Sequence, residues 1–218
     1  MSDMILYSLP HSPYAARVRL MVALKGLELS VEAPPEGLAS ATFKALTPTG
    51  KVPVLVAEGL HLPESIAIME YLDERFADSA LLCGSPAERA WQRAASRFVD
   101  LGLAPALFPL FAQLRAEPKD EALIAKSLEE LKHQLGVLTD FVRRSPGNLL
   151  AAETPAFFDC VLTPVMFYIT TVAPIFGEGD VLAGQTELSA WWSAVQENKA
   201  VTAVLEEMRA GLAAMMGA

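Results

Sequence analysis

The chain has 218 residues, 52% hydrophobic and 20% charged, a composition that builds a packed core and excludes a disordered chain. Its formal net charge of -9 argues against nucleic acid as a main partner, because phosphate binding needs a basic stripe. The two cysteines, Cys83 and Cys160, have neither CxxC spacing nor a companion histidine cluster, so neither a metal site nor a dithiol redox centre is expected.

The residues Met1–Asp3 carry no signal-peptide pattern, and a reducing cytoplasm is the expected compartment. Met4–Leu9 is a short apolar run that predicts a buried strand. Ser12-Pro13 then marks a helix start, and Tyr14–Lys25 fits a helix that Gly26 ends. Leu27–Ala33 is a candidate second strand. A short helix is placed near Ser40–Leu46. Val52–Ala57 and Leu60–Leu62, joined by Glu58-Gly59, read as a hairpin. Glu64–Phe76 closes the region as a helix with Ile66, Met69, Leu72 and Phe76 on one face. The order β-α-β-α-β-β-α describes a small mixed sheet covered by helices.

Strand signals stop after residue 78. Residues 79–85 read as a linker and 86–218 as an all-helical domain. Ala87–Ala116 is a helical pattern that Pro105 and Pro109 should kink or break. Lys119–Arg144 carries the clearest stripe: Ile124, Leu128, Leu131, Leu135, Leu138 and Val142. Pro155–Val172, Glu187–Gln196 and Ala200–Met216 complete the set. The longest apolar run, Val161–Phe176, contains Pro164 and Pro174; it is read as a buried helix that falls short of a membrane span.

Three features of the first domain carry chemistry. Ser12 lies at a strand-to-helix junction. A serine there caps the helix, and its hydroxyl can also face a ligand at the positive helix end, where a thiolate is favoured; the two roles coexist. Val52-Pro53 opens an expected strand, either as an ordinary strand-start proline or as a cis turn presenting backbone groups to a ligand. Glu64-Ser65 opens the third helix. The pair suits helix capping, and it equally suits an amino-acid zwitterion, with Ser65 and nearby N–H groups on the carboxylate and Glu64 on the ammonium.

The segment Ser12-Pro13-Tyr14-Ala15-Ala16-Arg17-Val18-Arg19, followed by Ala23-Leu24-Lys25-Gly26, resembles the cytosolic glutathione transferases of serine type, tau- and zeta-like and of the bacterial kind. Gly50-Lys51-Val52-Pro53-Val54-Leu55 is similar to the family's proline loop, which is cis in that family. Pro63-Glu64-Ser65-Ile66-Ala67-Ile68 with Tyr71-Leu72 resembles its γ-glutamyl-binding helix. These motifs cover most of residues 4–76 in the family's order. Beyond them, Asp159 sits where the family usually has an aspartate in a helix of its second domain.

The resemblance implies a thioredoxin-like α/β domain at 1–78 and an all-α domain at 86–218. It implies glutathione as co-substrate: Ser12 as the catalytic donor to the sulfur, Val52 and Pro53 at the cysteinyl part, Glu64 and Ser65 at the γ-glutamyl part, and Lys51 near the glycyl carboxylate. The thiolate would add to a small hydrophobic electrophile, as in detoxification. His11 and Tyr14 of the first domain and Leu107, Phe108 and Phe111 of the second are the candidate electrophile contacts; core packing is the competing reading of the last three. A homodimer is implied, with no membrane partner.

The chain departs from the family's pattern at Leu38, where a tau-like lysine is expected, and at Tyr14, where the zeta type has cysteine. It departs again at Ala156, where a capping serine or threonine usually stands, unless Thr154 takes over that role. A zeta-type isomerase (maleylacetoacetate- or maleylpyruvate-like), a glutathione-dependent ether cleaver and a non-catalytic binding protein on the same fold are the alternatives. A glutathione-dependent reductase is disfavoured, because Ser12 holds the place of its nucleophilic cysteine.

Overall fold

The computed structural model describes residues 4–217; Met1–Asp3, inspected above for a targeting signal, lie outside them. The chain divides into two compact units. One extends to Leu82 and includes the chain from Lys199 onward; the other is Cys83–Asn198. The expected division at 79–85, with 86–218 as one helical domain, therefore differs at the C-terminus. The last helix belongs to the first unit because it packs against that unit's first helix.

In the first unit the elements follow the predicted order: β1 Ile5–Tyr7, α1 Pro13–Lys25, β2 Ser30–Glu32, α2 Ala41–Leu46, β3 Val54–Ala57, β4 Leu60–Pro63 and α3 Ser65–Arg75. The sheet order is β2-β1-β3-β4, with β1 and β2 parallel and the other pairs antiparallel. This is a thioredoxin-like arrangement. Ser12 caps α1, Pro13 occupies its first turn, and Gly26 ends it at φ 62, a left-handed value that glycine adopts without a Cβ penalty. Leu6, Val18, Met21, Phe43, Leu55, Ile68 and Leu72 are fully buried between sheet and helices. The unit closes with α9, Lys199–Met216, which buries Val201, Val204, Leu205 and Met208.

The second unit holds α4 Pro86–Phe98, α5 Ala104–Gln113, α6 Glu121–Arg143, α7 Phe157–Val172 and α8 Thr186–Val195. Ser85 and Glu88 form a reciprocal capping box at the start of α4. Between α4 and α5 the chain remains helical but widens into a π-helical turn, Val99–Leu103. The irregularity expected at Pro105 thus falls just before it. In a regular helix a proline ring meets the carbonyl four residues back, and a wider turn makes room for it. Pro109, by contrast, lies inside α5 without a break. The α6 stripe points inward as predicted at Ile124, Leu131, Leu135 and Leu138, and Asp120 caps the helix.

The expectation that the apolar run around α7 falls short of a membrane span does not hold by length. Phe157–Phe176 is in fact helical over 20 residues, long and apolar enough by length and composition, as is Pro86–Gln113. Every residue from Phe157 to Ile169 is buried within the protein, the pattern of a core helix that is apolar on all sides.

Candidate functional site

The strand register brings three loops to one end of the sheet. Tyr7, the last residue of β1, pairs with Val54, the first of β3, and Val54 pairs in turn with Pro63, the last of β4. The β1–α1 loop with Ser12, the turn before β3 with Val52-Pro53, and the β4–α3 junction with Glu64-Ser65 therefore emerge together. The sequence placed these residues in separate motifs, and antiparallel pairing about β3 makes them neighbours.

The Ser12 Oγ accepts the Ala15 N–H at 3.2 Å, so the capping role is filled. Capping uses a lone pair only. The hydroxyl proton stays available for donation to a further acceptor. The Val52-Pro53 peptide is cis; Pro53 is buried, Val52 half-buried and Lys51 exposed. Glu64 is exposed and holds φ 73, ψ 112, a conformation that costs a non-glycine residue roughly 1–3 kcal/mol. It provides no side-chain cap to α3, whose first-turn N–H groups are left without one. Ser65 is buried at that helix end. Such an end, carrying partial positive charge and unsatisfied donors, accepts a carboxylate.

His11 and Tyr14 flank Ser12. Burial, and secondarily the Arg19 charge, hold the His11 imidazole below its ordinary pKa of 6.5, which keeps it neutral at pH 7. The Arg17 guanidinium lies over the Tyr14 ring, 4.9 Å from its centroid. Arg19 was not singled out from sequence. It is buried in α1 and donates to Ser8 Oγ, to the Leu9 carbonyl at 3.2 Å and to the Pro10 carbonyl at 2.9 Å, so it ties down the loop that leads to Ser12. A charged residue within a helix apolar on most sides is the signal that would have found it, since a buried charge has to be partnered.

In the second unit, Leu107 is 3% exposed and belongs to the core, while Phe108 is 47% exposed. Phe111 packs edge-on against Tyr168 at 4.9 Å between centroids. Of the three candidates, Phe108 presents the largest open surface. Asp159 is fully buried and accepts from Ala156 N at 2.8 Å, Ala151 N at 3.1 Å and Trp191 Nε1 at 2.7 Å. Its carboxylate, and not Thr154, serves the start of α7; Thr154 is exposed. Ala156 lacks any side-chain acceptor, so only half of a capping box exists there. Among the described residues no group of three or more His, Cys, Asp and Glu is placed to hold a metal ion.

The first unit is thus a thioredoxin-like α/β domain with helix-end donors gathered at one sheet end, and the second is helical. Comparison with known proteins agrees. Residues 6–80 match the model of the glutathione S-transferase N-terminal domain. The stringent starvation protein A homolog of Haemophilus influenzae is 31% identical over 171 residues, 76% of this chain and 74% of that one. The maleylacetoacetate isomerase of Pseudomonas aeruginosa is 40% identical over 108 residues, 47% of this chain and 51% of the other. In fold, the chain is similar to a glutathione transferase from Pseudomonas putida whose crystal structure holds glutathione disulfide, with TM-score 0.76 and 24% identity over 93% of this chain and 90% of that one. The chain belongs to the glutathione S-transferase family.

Proposed function

We propose that the first unit binds glutathione and that Ser12 activates its thiol for addition to a hydrophobic electrophile. The observation that carries this reading is the register: one sheet end collects a serine hydroxyl at the start of α1, the Val52-Pro53 turn and the uncapped start of α3. The γ-glutamyl carboxylate is assigned to Ser65 and the first-turn N–H groups of α3, and the ammonium to Glu64. The cysteinyl backbone pairs with Val52 beside Pro53, and Lys51 meets the glycyl carboxylate.

A free thiol with pKa near about 8.5 is only about 3% ionised at pH 7. Lowering that pKa by about two units takes roughly 2.7 kcal/mol of preferential thiolate stabilisation. A hydroxyl hydrogen bond to an anion supplies about 1.5–3 kcal/mol, and the start of α1 adds some tenths. The thiol proton leaves to solvent, and the sulfur electron pair forms the new bond to the electrophile. Phe108 is the assigned apolar contact to that electrophile, with His11, Tyr14 and Phe111 as the other candidates; Leu107, buried in the core, drops out. A Phe108→Ala variant is expected to weaken apparent affinity for electrophiles across several substrates; unchanged affinity throughout would remove Phe108 from the assignment. A cytoplasmic homodimer is the expected form.

Calorimetric titration with reduced glutathione tests the reading. Ser65→Ala is expected to weaken saturable binding. Ser12→Ala should leave binding in place and lower the conjugation rate roughly 10- to 100-fold, the size of one charge-assisted hydrogen bond. No binding by the wild type at millimolar glutathione would sink the proposal and leave the fold as a scaffold for other ligands. The likeness to maleylacetoacetate isomerase over half the chain favours isomerisation as the second reading. Turnover that leaves glutathione unconsumed would select it.

A further inference from the structure

The support of the Ser12 loop extends beyond the helix that Ser12 caps. The Leu9 carbonyl accepts two hydrogen bonds, one from the Ser12 backbone N–H at 3.0 Å and one from Arg19 Nη1 at 3.2 Å. Arg19 also donates to Ser8 Oγ and to the Pro10 carbonyl. Its planar fork therefore spans three successive residues of the β1–α1 loop, and one of its acceptors is shared with Ser12 itself. A guanidinium can do this because its donors lie in a fixed plane; a lysine ammonium cannot reach the same set.

The other side of this arrangement comes from α9, within the same unit. The Glu207 carboxylate lies 3.0 Å from Arg19 Nε as an ion pair. Glu207 is exposed, so the pair by itself contributes little to stability. One turn further along α9, Gly211 faces the loop directly. A Cβ at position 211 would sit 2.7 Å from the His11 backbone nitrogen, 2.8 Å from Pro10 Cβ and 3.1 Å from the Pro10 carbonyl carbon. Two of these three atoms are backbone. They cannot move aside as a side chain can, so any larger residue there would shift the Pro10–His11 segment.

We infer that Arg19 and Gly211 are positioning residues for Ser12: α9 seats against Pro10-His11 through Gly211, and Arg19, paired with Glu207 of the same helix, fixes the loop through Ser8, Leu9 and Pro10, so that the Ser12 hydroxyl is held where it meets the glutathione sulfur. The inference rests on the reading of Ser12 given above. It makes α9 part of the thiol-activating apparatus through the loop that carries Ser12.

The decisive variant is Gly211→Ala, at a half-buried position where the fold should survive; Arg19→Lys is its companion and Glu206→Ala, at an exposed position on α9, the control. Three quantities are read: the dissociation constant for reduced glutathione by calorimetry, the pKa of the bound thiol from its ultraviolet thiolate absorbance, and kcat against KM in conjugation. Gly211→Ala is expected to change glutathione affinity less than about twofold while the bound thiol pKa rises by about one unit. Below that pKa, kcat then falls about tenfold, and the acidic limb of the kcat–pH profile moves up by the same amount. Arg19→Lys should move the thiol pKa in the same direction, and Glu206→Ala should not move it. Thiol pKa and kcat that remain at wild-type values in Gly211→Ala overturn the inference, whatever the thermal midpoint does. A wild type that fails to bind glutathione overturns instead the reading on which the inference rests.

Discussion

Asp73→Ala is expected to destabilise the first unit by about 3–5 kcal/mol, the range for removing one partner of a buried ion pair. The Lys25 side chain is completely shielded from solvent, and all three of its ammonium protons are used: on Asp73 Oδ1 at 2.8 Å, the Phe76 carbonyl at 3.0 Å and the Ser79 carbonyl at 2.7 Å. Asp73 in turn accepts the backbone N–H groups of Leu81 at 2.7 Å and Leu82 at 2.9 Å. Removing the carboxylate leaves a buried ammonium with carbonyls alone and strips two amides of their acceptor. Lys25→Met is expected to be milder, because Asp73 keeps its two amides. The double variant should cost less than the sum of the two, since removing both charges relieves the uncompensated one.

All three tryptophans, Trp91, Trp191 and Trp192, lie in the other unit, so their fluorescence does not follow this transition directly. Hydrogen exchange of α1 and α3 amides in the single and double variants is the suitable measurement. A loss below about 1 kcal/mol for Asp73→Ala, or strict additivity in the double, would mean that the cluster does not act as a unit.

The second large effect concerns Asp159. Replacement by alanine removes the acceptor for three donors, the buried Trp191 indole and two part-buried backbone N–H groups, and should cost the helical unit about 3 kcal/mol. The pH dependence has a definite sign. Burial is the largest influence on this carboxyl and raises its pKa from 3.8 to about 6, against the opposing hydrogen bonds. The folded state therefore binds the proton more tightly than the unfolded state, and between these two values it carries more protons. The contribution of Asp159 to stability accordingly grows as pH falls from 7 towards 4, by about 1 kcal/mol between pH 7 and 5.

Other carboxylates titrate over the same range, so the useful quantity is the difference between wild type and Asp159→Asn in urea unfolding free energy. That difference should shift in favour of the wild type on acidification. Trp191 fluorescence reports this transition well, because its indole donates to the carboxylate itself. A difference that is flat with pH would mean that the carboxyl titrates in its ordinary range, and one that moves in favour of Asp159→Asn on acidification would mean that its hydrogen bonds outweigh burial and lower its pKa.

Much of this protein was legible in local sequence. Ser12-Pro13 and Gly26 bounded α1, the Glu58-Gly59 turn set the hairpin, and the three- and four-residue spacing from Ile124 to Leu138 identified α6 and its buried face. These are effects of neighbouring residues, encoded within a turn or two of chain, and no distant partner is needed to read them. The motifs at Ser12, Val52-Pro53 and Glu64-Ser65 could be named for the same reason, each sitting at an element boundary of its own. Their convergence at one sheet end was decided by pairing register, which depends on which strands meet. The packing of α9 on the first unit, the Arg19 fork with Glu207, the close approach at Gly211 and the Lys25–Asp73 cluster likewise join residues far apart in sequence. Such contacts follow from how amphipathic faces and buried charges find partners in three dimensions, and the local pattern of the chain records only that a partner is required.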